Sequence, residues 1–361
     1  MEKELRLMKG NEAIAEAAIR CGADAYFGYP ITPQSEILEH LMAEKPHERT
    51  GMAVLQAESE VAAINMVYGA AAAGRMAMTS SSSPGISLKQ EGISYMAGAE
   101  LPGVIVNVVR GGPGLGTIQP SQADYFQSTK GGGHGDYRQI VFAPASVQEM
   151  YDFVQLGFEL AFKYRNPVMI QTDGIIGQMM EKVMLGEQKQ RRKPEDIVKQ
   201  CPWATTGKTK NRERNIITSL DLTAASQEKF NFKLIEKYKE IKEKEVRFET
   251  FDCEDADYIF VSYGSSARIC MNAIKMARAK GIKVGLLRLI TLFPFPEKKI
   301  AEMTDKLKGF LTVEMSAGQM VEDVRLAVKF KKPVEHFGRM GGVIPTPEEI
   351  VEALEQKIIG G

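Results

Sequence analysis

The sequence predicts an α/β protein in which a doubly wound parallel sheet is followed by a second, smaller α/β domain. Apolar runs of strand length alternate with helical patterns in two zones, which are separated by a segment of different composition. Nearly continuous Val, Ile and Met strands between helices indicate a parallel sheet that helices cover on both faces. A chain of 361 residues also exceeds one ordinary hydrophobic core, which favours two domains and a connector.

The first zone, residues 1–186, is expected to form the larger domain. Its predicted strands are residues 23–29, 52–57, 76–80, 104–109, 139–142 and 168–172, and its predicted helices are residues 11–21, 34–43, 59–73, 88–100 and 147–163. Gly22 suits the left-handed C-cap of the first helix, and Ser146 with Glu149 predicts a capping box before the last helix.

Residues 187–250 are expected to connect the two domains. They contain 16 Lys and Arg against 11 Asp and Glu, with a basic run at 189–193. That run suits either an anion site or a solvated linker, and we favour the linker. Apolar residues at helical spacing, which predict one amphipathic helix, are Phe230, Leu234, Tyr238 and Ile241.

Residues 251–361 are expected to form the second domain. The predicted strands are residues 258–263, 283–289 and 310–314, and the predicted helices are residues 267–280, 296–307 and 318–328. The last helix is predicted to begin at Thr346, because this N-cap residue is followed by a proline and two glutamates in the first turn.

The charge and the composition exclude several classes of protein. Lys and Arg number 46 and Asp and Glu also number 46, so nothing in the net charge favours binding to nucleic acid or to an anionic membrane. The longest apolar runs, such as residues 104–109, are far shorter than the roughly 20 residues that span a bilayer. The acidic beginning does not resemble a signal peptide, and we therefore expect a cytoplasmic protein.

The chain is not expected to hold a metal ion or an iron–sulfur cluster by itself. None of its four cysteines pairs with another at C-x-x-C spacing, and none of its four histidines forms an H-x-x-x-H or H-E-x-x-H pair. Metal-dependent hydrolysis is therefore disfavoured.

Functional residues of an open parallel sheet are expected in the loops that follow the carboxyl ends of its strands. In the first such loop, residues 29–35, capping alone explains Thr32 as an N-cap and Pro33 as the first helical residue. The two prolines around Thr32 also make the loop stiff, which suits a hydroxyl group that is presented to a ligand.

A second candidate is the beginning of the apolar helix at 59–73. Glu58 and Glu60 precede a stretch of Ala, Val, Ile, Met and Gly, so this helix is expected to be buried on most sides. A carboxylate at this position is either stabilised by the helix dipole or directed at a buried nitrogen of a ligand. Because Glu58 and Glu60 are two residues apart, they cannot both point the same way.

Glycines are concentrated in the loops of the first domain. Fourteen of the 33 glycines lie between Gly69 and Gly135, which permits a close approach to a ligand or to a partner chain. The run at 111–116 has neither the P-loop nor the dinucleotide-binding pattern. Arg110, which precedes this run, is a candidate for binding a carboxylate or for a structural salt bridge. The glycine-rich, apolar face also predicts at least one large contact between chains.

Nine segments, taken together in this order, resemble one protein family. They are YPITP (29–33), ESEVAA (58–63), GAAAAG (69–74), TSSSSPG (79–85), RGGP (110–113), HGD (134–136), SYGS (262–265), VEM (313–315) and GGVIPTP (341–347). The chain is similar to the alpha subunit of the 2-oxoacid:ferredoxin oxidoreductases, thiamine-diphosphate enzymes of anaerobic metabolism. The resemblance covers nearly the whole chain apart from residues 187–250, and the branched-chain (2-oxoisovalerate) and 2-oxoglutarate types are the most similar.

The resemblance implies a thiamine-diphosphate-binding fold followed by a transketolase C-terminal-like domain. It also implies a divided active site, in which this subunit binds the aminopyrimidine of thiamine diphosphate and a beta subunit binds the diphosphate and Mg. Iron–sulfur clusters are expected only on partner subunits, among them ferredoxin-like and gamma subunits, and the substrates are a 2-oxoacid and coenzyme A. The chain is also expected to self-associate.

The resemblance also assigns roles to individual residues. Glu60 matches the carboxylate that hydrogen-bonds N1′ of the aminopyrimidine, and whether Glu58 contributes beside it is left open. Thr32 is expected near the reacting carbonyl of the 2-oxoacid, and Arg110 is expected at its carboxylate. Further cofactor-binding residues are expected to be Pro30, Ile31 and Ser83, and no metal ligand is expected.

The resulting hypothesis is the oxidative decarboxylation of a 2-oxoacid to acyl-CoA with reduction of ferredoxin. Two alternatives are a thiamine-dependent 2-oxoacid decarboxylase or synthase subunit, and a non-catalytic assembly subunit of the same fold. In the second domain, residues 264–266 suit either an anion site at a helix N-terminus or a tight turn, and we favour the turn.

Overall fold

The computed structural model describes residues 4–208 and 212–360. In this part of the chain, the strands form a seven-stranded sheet, a five-stranded sheet and a two-stranded ribbon. The elements up to the ribbon's second strand are β1 Glu4–Lys9, α1 Gly10–Arg20, β2 Ala25–Gly28, α2 Ser35–Ala43, α3 Pro46–Thr50, β3 Ala53–Gln56, α4 Glu60–Ala72, β4 Ala77–Ser81, α5 Ser83–Gly98, β5 Gly103–Val109, α6 Tyr125–Thr129, β6 Ile140–Phe142, α7 Val147–Tyr164, β7 Pro167–Asp173, α8 Gly174–Gln178 and β8 Met180–Leu185. The later elements are α9 Pro194–Gln200, α10 Ala224–Lys244, β9 Phe248–Phe251, β10 Tyr258–Tyr263, α11 Gly264–Ala279, β11 Val284–Leu289, β12 Thr291–Phe293, α12 Glu297–Thr304, β13 Gly309–Glu314, α13 Met320–Val328, β14 Val334–Gly338, α14 Pro347–Leu354 and a π-helical turn at Glu355–Ile359.

The larger sheet has the strand order β12-β6-β7-β5-β4-β2-β3. Neighbouring strands are parallel except β12, which runs antiparallel to β6. Every residue of β4, β5 and β7 is buried. Strands that are apolar on both sides need cover on both sides, so the predicted doubly wound parallel sheet is confirmed.

The direction in which the sheet grows reverses between β2 and β4. Strand β2 pairs with β3 on one side, and the next strand in the chain, β4, pairs with β2 on the other side. Such a reversal sends the neighbouring connections to opposite faces of the sheet and opens a crevice outside the carboxyl ends of the two strands.

Several features of this part of the chain differ from the sequence prediction, among them the short helices α3, α6 and α8, which were not predicted. Strands β1 and β8 form an antiparallel ribbon that no apolar run indicates, and β12 joins the first sheet from the second half of the chain. Helix α5 begins at Ser83 rather than at residue 88. It begins earlier because Ser82 has the extended backbone of an N-cap and Pro84 fits the first turn of a helix.

The segment between the two sheets contains two helices, rather than one, in its described residues 187–208 and 212–250. Helix α9 is short and packs through Ile197 in a small apolar cluster. Helix α10 is the predicted amphipathic helix, and its buried residues are Leu234, Tyr238 and Ile241. The division of the chain into domains at 186 and 250 stays a prediction.

The smaller sheet has the order β14-β13-β10-β11-β9, with β9 antiparallel to β11 and the other pairs parallel. Its strands share an apolar cluster with α11 and α14. The predicted N-cap at Thr346 is confirmed, because its hydroxyl accepts a hydrogen bond from the Glu349 nitrogen at 3.3 Å.

Gln122 joins the two sheets. Its side-chain nitrogen donates to the Tyr263 carbonyl at 2.9 Å, and its side-chain oxygen accepts from Ser266 Oγ at 2.6 Å and from the Met315 nitrogen at 2.9 Å. Gln122 is 2% exposed, so these hydrogen bonds are shielded from water. The amide therefore fills the crevice at the carboxyl ends of β10 and β13.

The turn at 264–266 serves this contact between the sheets. The Ser265 hydroxyl donates to Asp173 Oδ2 at 2.6 Å, and the Asp173 carboxylate also caps α8 by accepting from the nitrogens of Ile175 and Ile176. The carboxylate of Asp173 therefore occupies the position that was considered for a bound anion. This supports the interpretation of residues 264–266 as a tight turn.

Candidate active site

The residues that the sequence singled out lie at the crevice between β2 and β4. Glu60 begins α4 after β3, Ser83 begins α5 after β4, Arg110 follows β5, and residues 30–32 lie in the loop after β2. These four strands are neighbours in the sheet. Because the carboxyl ends of parallel strands lie at the same edge, side chains that are distant in the sequence come together there.

The loop after β2 is held in place by Gln34. The Gln34 side chain donates to the Tyr29 carbonyl at 3.0 Å and accepts a hydrogen bond from Ser80 Oγ at 2.5 Å. The Ser80 hydroxyl also contacts the hydroxyl of Tyr26 at 2.6 Å. Since Gln34, Ser80 and Tyr26 are buried, this network fixes the loop to β4.

Thr32 is not the N-cap of the following helix, so that part of the sequence prediction is wrong. Helix α2 begins after Gln34, which occupies the capping position, and the Pro33 carbonyl accepts a hydrogen bond from Asn11 Nδ2 at 2.8 Å. A side chain of α1 therefore holds the turn, and capping does not explain the loop. The residues at its tip are Pro30 and Thr32, which are exposed, and Ile31, which is half-buried.

Arg110 connects this loop with the loop after β5. It is 8% exposed, and its guanidinium donates to the carbonyls of Thr32 and Leu115, each at 3.0 Å. Within residues 4–208 and 212–360, Arg110 forms no salt bridge, and its Nε is buried without a hydrogen-bond partner. The guanidinium is therefore fixed by backbone groups and retains one donor that has no acceptor in this part of the chain.

Ser83 lies against the backbone of Arg110. The Arg110 nitrogen donates to the Ser83 hydroxyl at 3.1 Å, and the hydroxyl donates to the Arg110 carbonyl at 3.2 Å. These two hydrogen bonds attach the first turn of α5 to the end of β5. Thr32, Ser83 and Arg110 are thus joined in one network.

Glu60 is buried at the beginning of α4. Ser59 caps this helix by accepting a hydrogen bond from the Ala62 nitrogen at 3.1 Å, and Glu60 is 7% exposed. A Cβ atom at Gly85 would lie 2.8 Å from Glu60 Oε1, so the carboxylate packs against the first turn of α5 in space that a glycine leaves free. Glu58 is exposed, and Glu60 is therefore the glutamate that faces the interior.

Helix α4 is more exposed than its composition predicts. The expectation that it is buried on most sides is wrong, because only six of its 13 residues are buried. We call its exposed surface the α4 face; it consists of Val61 (45% exposed), Met66 (36%) and the exposed Asn65 and Gly69. The α4 face begins next to Glu60, and its two large exposed side chains, Val61 and Met66, are apolar.

Lys89 lies beside Glu60, and the sequence analysis did not identify it. Its side chain is fully buried, and its Nζ donates to the Glu60 carbonyl at 3.3 Å. Burial lowers the pKa of Lys89 to about 8, although the charge of Glu60 opposes this shift. A lysine in a helical pattern is normally solvated, and the one available signal was its position between Gly85 and Gly92 on one helix face.

The end of β4 presents further polar groups. The hydroxyls of Thr79, Ser81 and Ser82 are buried and have no hydrogen-bond partner in the part of the chain that the structure describes. Buried polar groups without partners are uncommon in proteins, so this strand carries hydrogen-bonding capacity that the described part of the chain does not use.

No metal centre accompanies these groups in the described ranges 4–208 and 212–360, where no cluster of three His, Cys, Asp or Glu side chains is arranged to hold an ion. The same ranges contain no helix that is both long enough and apolar enough to span a bilayer.

Two family models match the chain. Residues 16–244 match the thiamine-diphosphate-binding family of the pyruvate flavodoxin/ferredoxin oxidoreductases. Residues 256–350 match core domain II of pyruvate:ferredoxin oxidoreductase. The first model covers the crevice, and the second covers the smaller sheet except its strand β9.

Two curated relatives align along nearly their whole length. Ketoisovalerate oxidoreductase subunit VorB of Methanothermobacter thermautotrophicus is 52% identical over 97% of this chain and 97% of its own length. 2-Oxoglutarate synthase subunit KorA of Methanocaldococcus jannaschii is 36% identical over 97% of this chain and 99% of its own length.

Solved structures show the same architecture. A 2-oxoglutarate:ferredoxin oxidoreductase from Magnetococcus marinus superimposes with a TM-score of 0.83 at 26% identity, covering 99% of this chain and 66% of that longer chain. A split-gene transketolase, in the form of an inactive tetramer of beta subunits, matches with a TM-score of 0.60 at 14% identity over 98% of both chains, which shows the fold alone. The expected thiamine-diphosphate-binding and transketolase-like folds are confirmed. The chain therefore belongs to the 2-oxoacid:ferredoxin oxidoreductase family, as a subunit with the thiamine-diphosphate-binding fold.

Proposed function

We propose that this chain provides the aminopyrimidine half of a divided thiamine-diphosphate site. The enzyme that it helps to form oxidatively decarboxylates a 2-oxoacid to acyl-CoA and reduces ferredoxin. The observation that carries the proposal is the buried carboxylate of Glu60 at the beginning of a helix, beside the point where the strand order reverses. The cofactor supplies carbanion stabilisation, and the protein supplies binding, orientation and proton control.

The surroundings of Glu60 suit a ring nitrogen. In the described part of the chain, the Lys89 side chain donates its hydrogen bond to the backbone carbonyl of Glu60. The carboxylate oxygens of Glu60 therefore remain available as acceptors. Glu60 would hold the proton at N1′ of the aminopyrimidine. The residues that would line the ring are Pro30 and Ile31, at the tip of the anchored loop, and Ser83, at the start of α5.

Thr32 and Arg110 are proposed to bind the 2-oxoacid. Arg110 already orients the loop that carries Thr32, through the hydrogen bond to the Thr32 carbonyl. Its unpaired, buried Nε is a donor suited to a carboxylate, since guanidinium–carboxylate contacts are among the strongest hydrogen bonds in proteins. The exposed Thr32 would then lie near the reacting carbonyl.

The substrate is proposed to be 2-oxoisovalerate rather than 2-oxoglutarate. The identity to the ketoisovalerate oxidoreductase subunit is 52%, against 36% to the 2-oxoglutarate synthase subunit, over comparable lengths.

The remainder of the site is proposed to come from partner subunits. The α4 face exposes the apolar side chains of Val61 and Met66 and begins next to Glu60, and exposed apolar side chains of this kind mark contacts between chains. A beta subunit would contact it and bind the diphosphate and Mg. Ferredoxin-like and gamma subunits would carry iron–sulfur clusters, because the four cysteines of this chain are separate free thiols.

The experiment replaces Glu60→Gln in the complex purified with its co-expressed partners. Turnover of 2-oxoisovalerate, 2-oxoglutarate and pyruvate is measured with a ferredoxin-like dye. We expect the variant to lose about 10²–10⁴-fold in turnover, as for the loss of a proton-transfer group. Glu58→Gln is the matched control, since Glu58 is exposed and two residues away, and it is expected to retain activity. Undiminished turnover of Glu60→Gln would exclude the proposed role.

A further inference from the structure

Lys89 lies at the centre of the contact between α4 and α5. Gly85, Lys89 and Gly92 share one face of α5, because they are four and three residues apart. A Cβ atom at Gly85 would lie 2.8 Å from Glu60 Oε1, and one at Gly92 would lie 2.6 Å from Ile64 Cγ2. The two glycines therefore let the helices approach closely, and the side chain of Lys89 is buried in the same contact.

The ammonium group of Lys89 has little compensation for its burial. In residues 4–208 and 212–360 it makes one hydrogen bond, to the Glu60 carbonyl at 3.3 Å, and the side chain is 0% exposed. A buried cation without a hydrogen-bonded counterion destabilises a fold, and an apolar side chain of similar volume does not. Packing alone therefore does not account for a lysine at this position.

Glu60 is the charged group that acts on Lys89 in the described part of the chain. The other groups that α4 and α5 bring to this contact, Gly85, Gly92 and Ile64, are uncharged. Electrostatic attraction is mutual, so the ammonium also attracts the Glu60 carboxylate. Its hydrogen bond to the Glu60 carbonyl additionally fixes the first turn of α4, from which the carboxylate projects.

We propose that Lys89 is a positioning residue for the cofactor: its ammonium holds the first turn of α4 and thereby orients the Glu60 carboxylate. This inference rests on the proposed function of Glu60 and adds a residue that acts through it. Lys89 itself touches neither the ring nor the 2-oxoacid.

The test compares Lys89→Met and Lys89→Gln with the wild type in the assembled complex, by measuring the Kd of thiamine diphosphate together with the Tm. Methionine cannot donate a hydrogen bond to the Glu60 carbonyl, whereas glutamine can. We expect Lys89→Met to weaken binding about fivefold, which corresponds to one lost hydrogen bond. Lys89→Gln retains a donor for the Glu60 carbonyl and loses the charge, so this conservative variant is expected to restore binding to within about twofold of the wild type.

A purely structural lysine would alter the Tm of the complex and leave the Kd of thiamine diphosphate unchanged. That result for Lys89→Met would overturn the inference, and so would an equal loss of affinity in a Glu60→Gln background, since Lys89 would then act through another group. Failure of the proposed function is distinguishable, because it appears as full turnover by Glu60→Gln with Lys89 intact.

Discussion

The contact between Gly85 and Glu60 gives a quantitative test of the site, through the substitution Gly85→Ala. The new Cβ atom would lie 2.8 Å from Glu60 Oε1 and 2.1 Å from Ser81 Oγ. Since unstrained contacts are about 3.5–4.0 Å, the carboxylate has to move by roughly 0.7 Å or more. Displacements of about 1 Å in a catalytic group lower rates by about 10²-fold, so we expect kcat/KM to fall about 10–100-fold. Overpacking should also lower the free energy of unfolding by about 1–3 kcal/mol.

The assay measures kcat/KM of the assembled complex together with its thermal unfolding. Gly92→Ala is the matched control, because it adds the same methyl group to the same face of α5, 2.6 Å from Ile64 Cγ2 instead of Glu60. We expect this control to lose a similar amount of stability and to keep kcat/KM within about threefold, since no catalytic group moves. Equal losses of kcat/KM in the two variants would refute the reasoning.

The collision of the new Cβ atom with Ser81 can be separated from its collision with Glu60 by a second substitution, Ser81→Ala. Ser81→Ala removes the hydroxyl that collides most severely, and this hydroxyl has no hydrogen-bond partner in the described part of the chain. The double variant Ser81→Ala/Gly85→Ala should therefore recover stability without recovering kcat/KM. Recovery of both would show that Glu60 was not displaced.

Further predictions concern stability and assembly. Gln122→Ala removes three buried hydrogen bonds between the two sheets and should lower the free energy of unfolding, measured with denaturant, by about 3 kcal/mol. The pKa of Lys89 is about 8 in the folded protein, against an ordinary value of 10.5 that applies to the unfolded chain. At a pH between these two values the unfolded chain therefore binds more protons than the folded protein, and the free energy of unfolding rises with pH. Lys89→Met should lack this rise and be more stable than the wild type at neutral pH by about 3 kcal/mol, as shown by thermal unfolding across pH 7–11. Met66→Arg on the α4 face should prevent assembly with partner subunits, measured by size-exclusion chromatography, whereas Met42→Arg, on the exposed side of α2, should not.

The sheets were predictable because buried parallel strands are apolar on both sides. The runs at 104–109 and 168–172 correspond to β5 and β7, in which every residue is buried. Strand β12 has three residues, and three of the six residues of β1 are exposed, so neither strand by itself produces a long apolar run. Their pairing depends on partners more than a hundred residues away.

The candidate site was only partly predictable. Glu60, Thr32 and Arg110 follow or precede recognisable strands, and a parallel sheet brings such positions to one edge. The capping role of Thr32 was wrong, because Asn11 and Gln34, from other parts of the chain, hold that loop. A local pattern does not contain such contacts.

The sequence by itself determined which side chains this protein offers for chemistry and which strands carry them to a common edge, since strand and helix periodicity is a local property. Only the tertiary structure decided which of those side chains lose contact with water. Lys89 is buried because two helices approach each other closely at Gly85 and Gly92, and Glu60 gains a charged neighbour at the same contact. Burial and electrostatic coupling depend on distances between elements, and those distances are settled when the helices and strands pack.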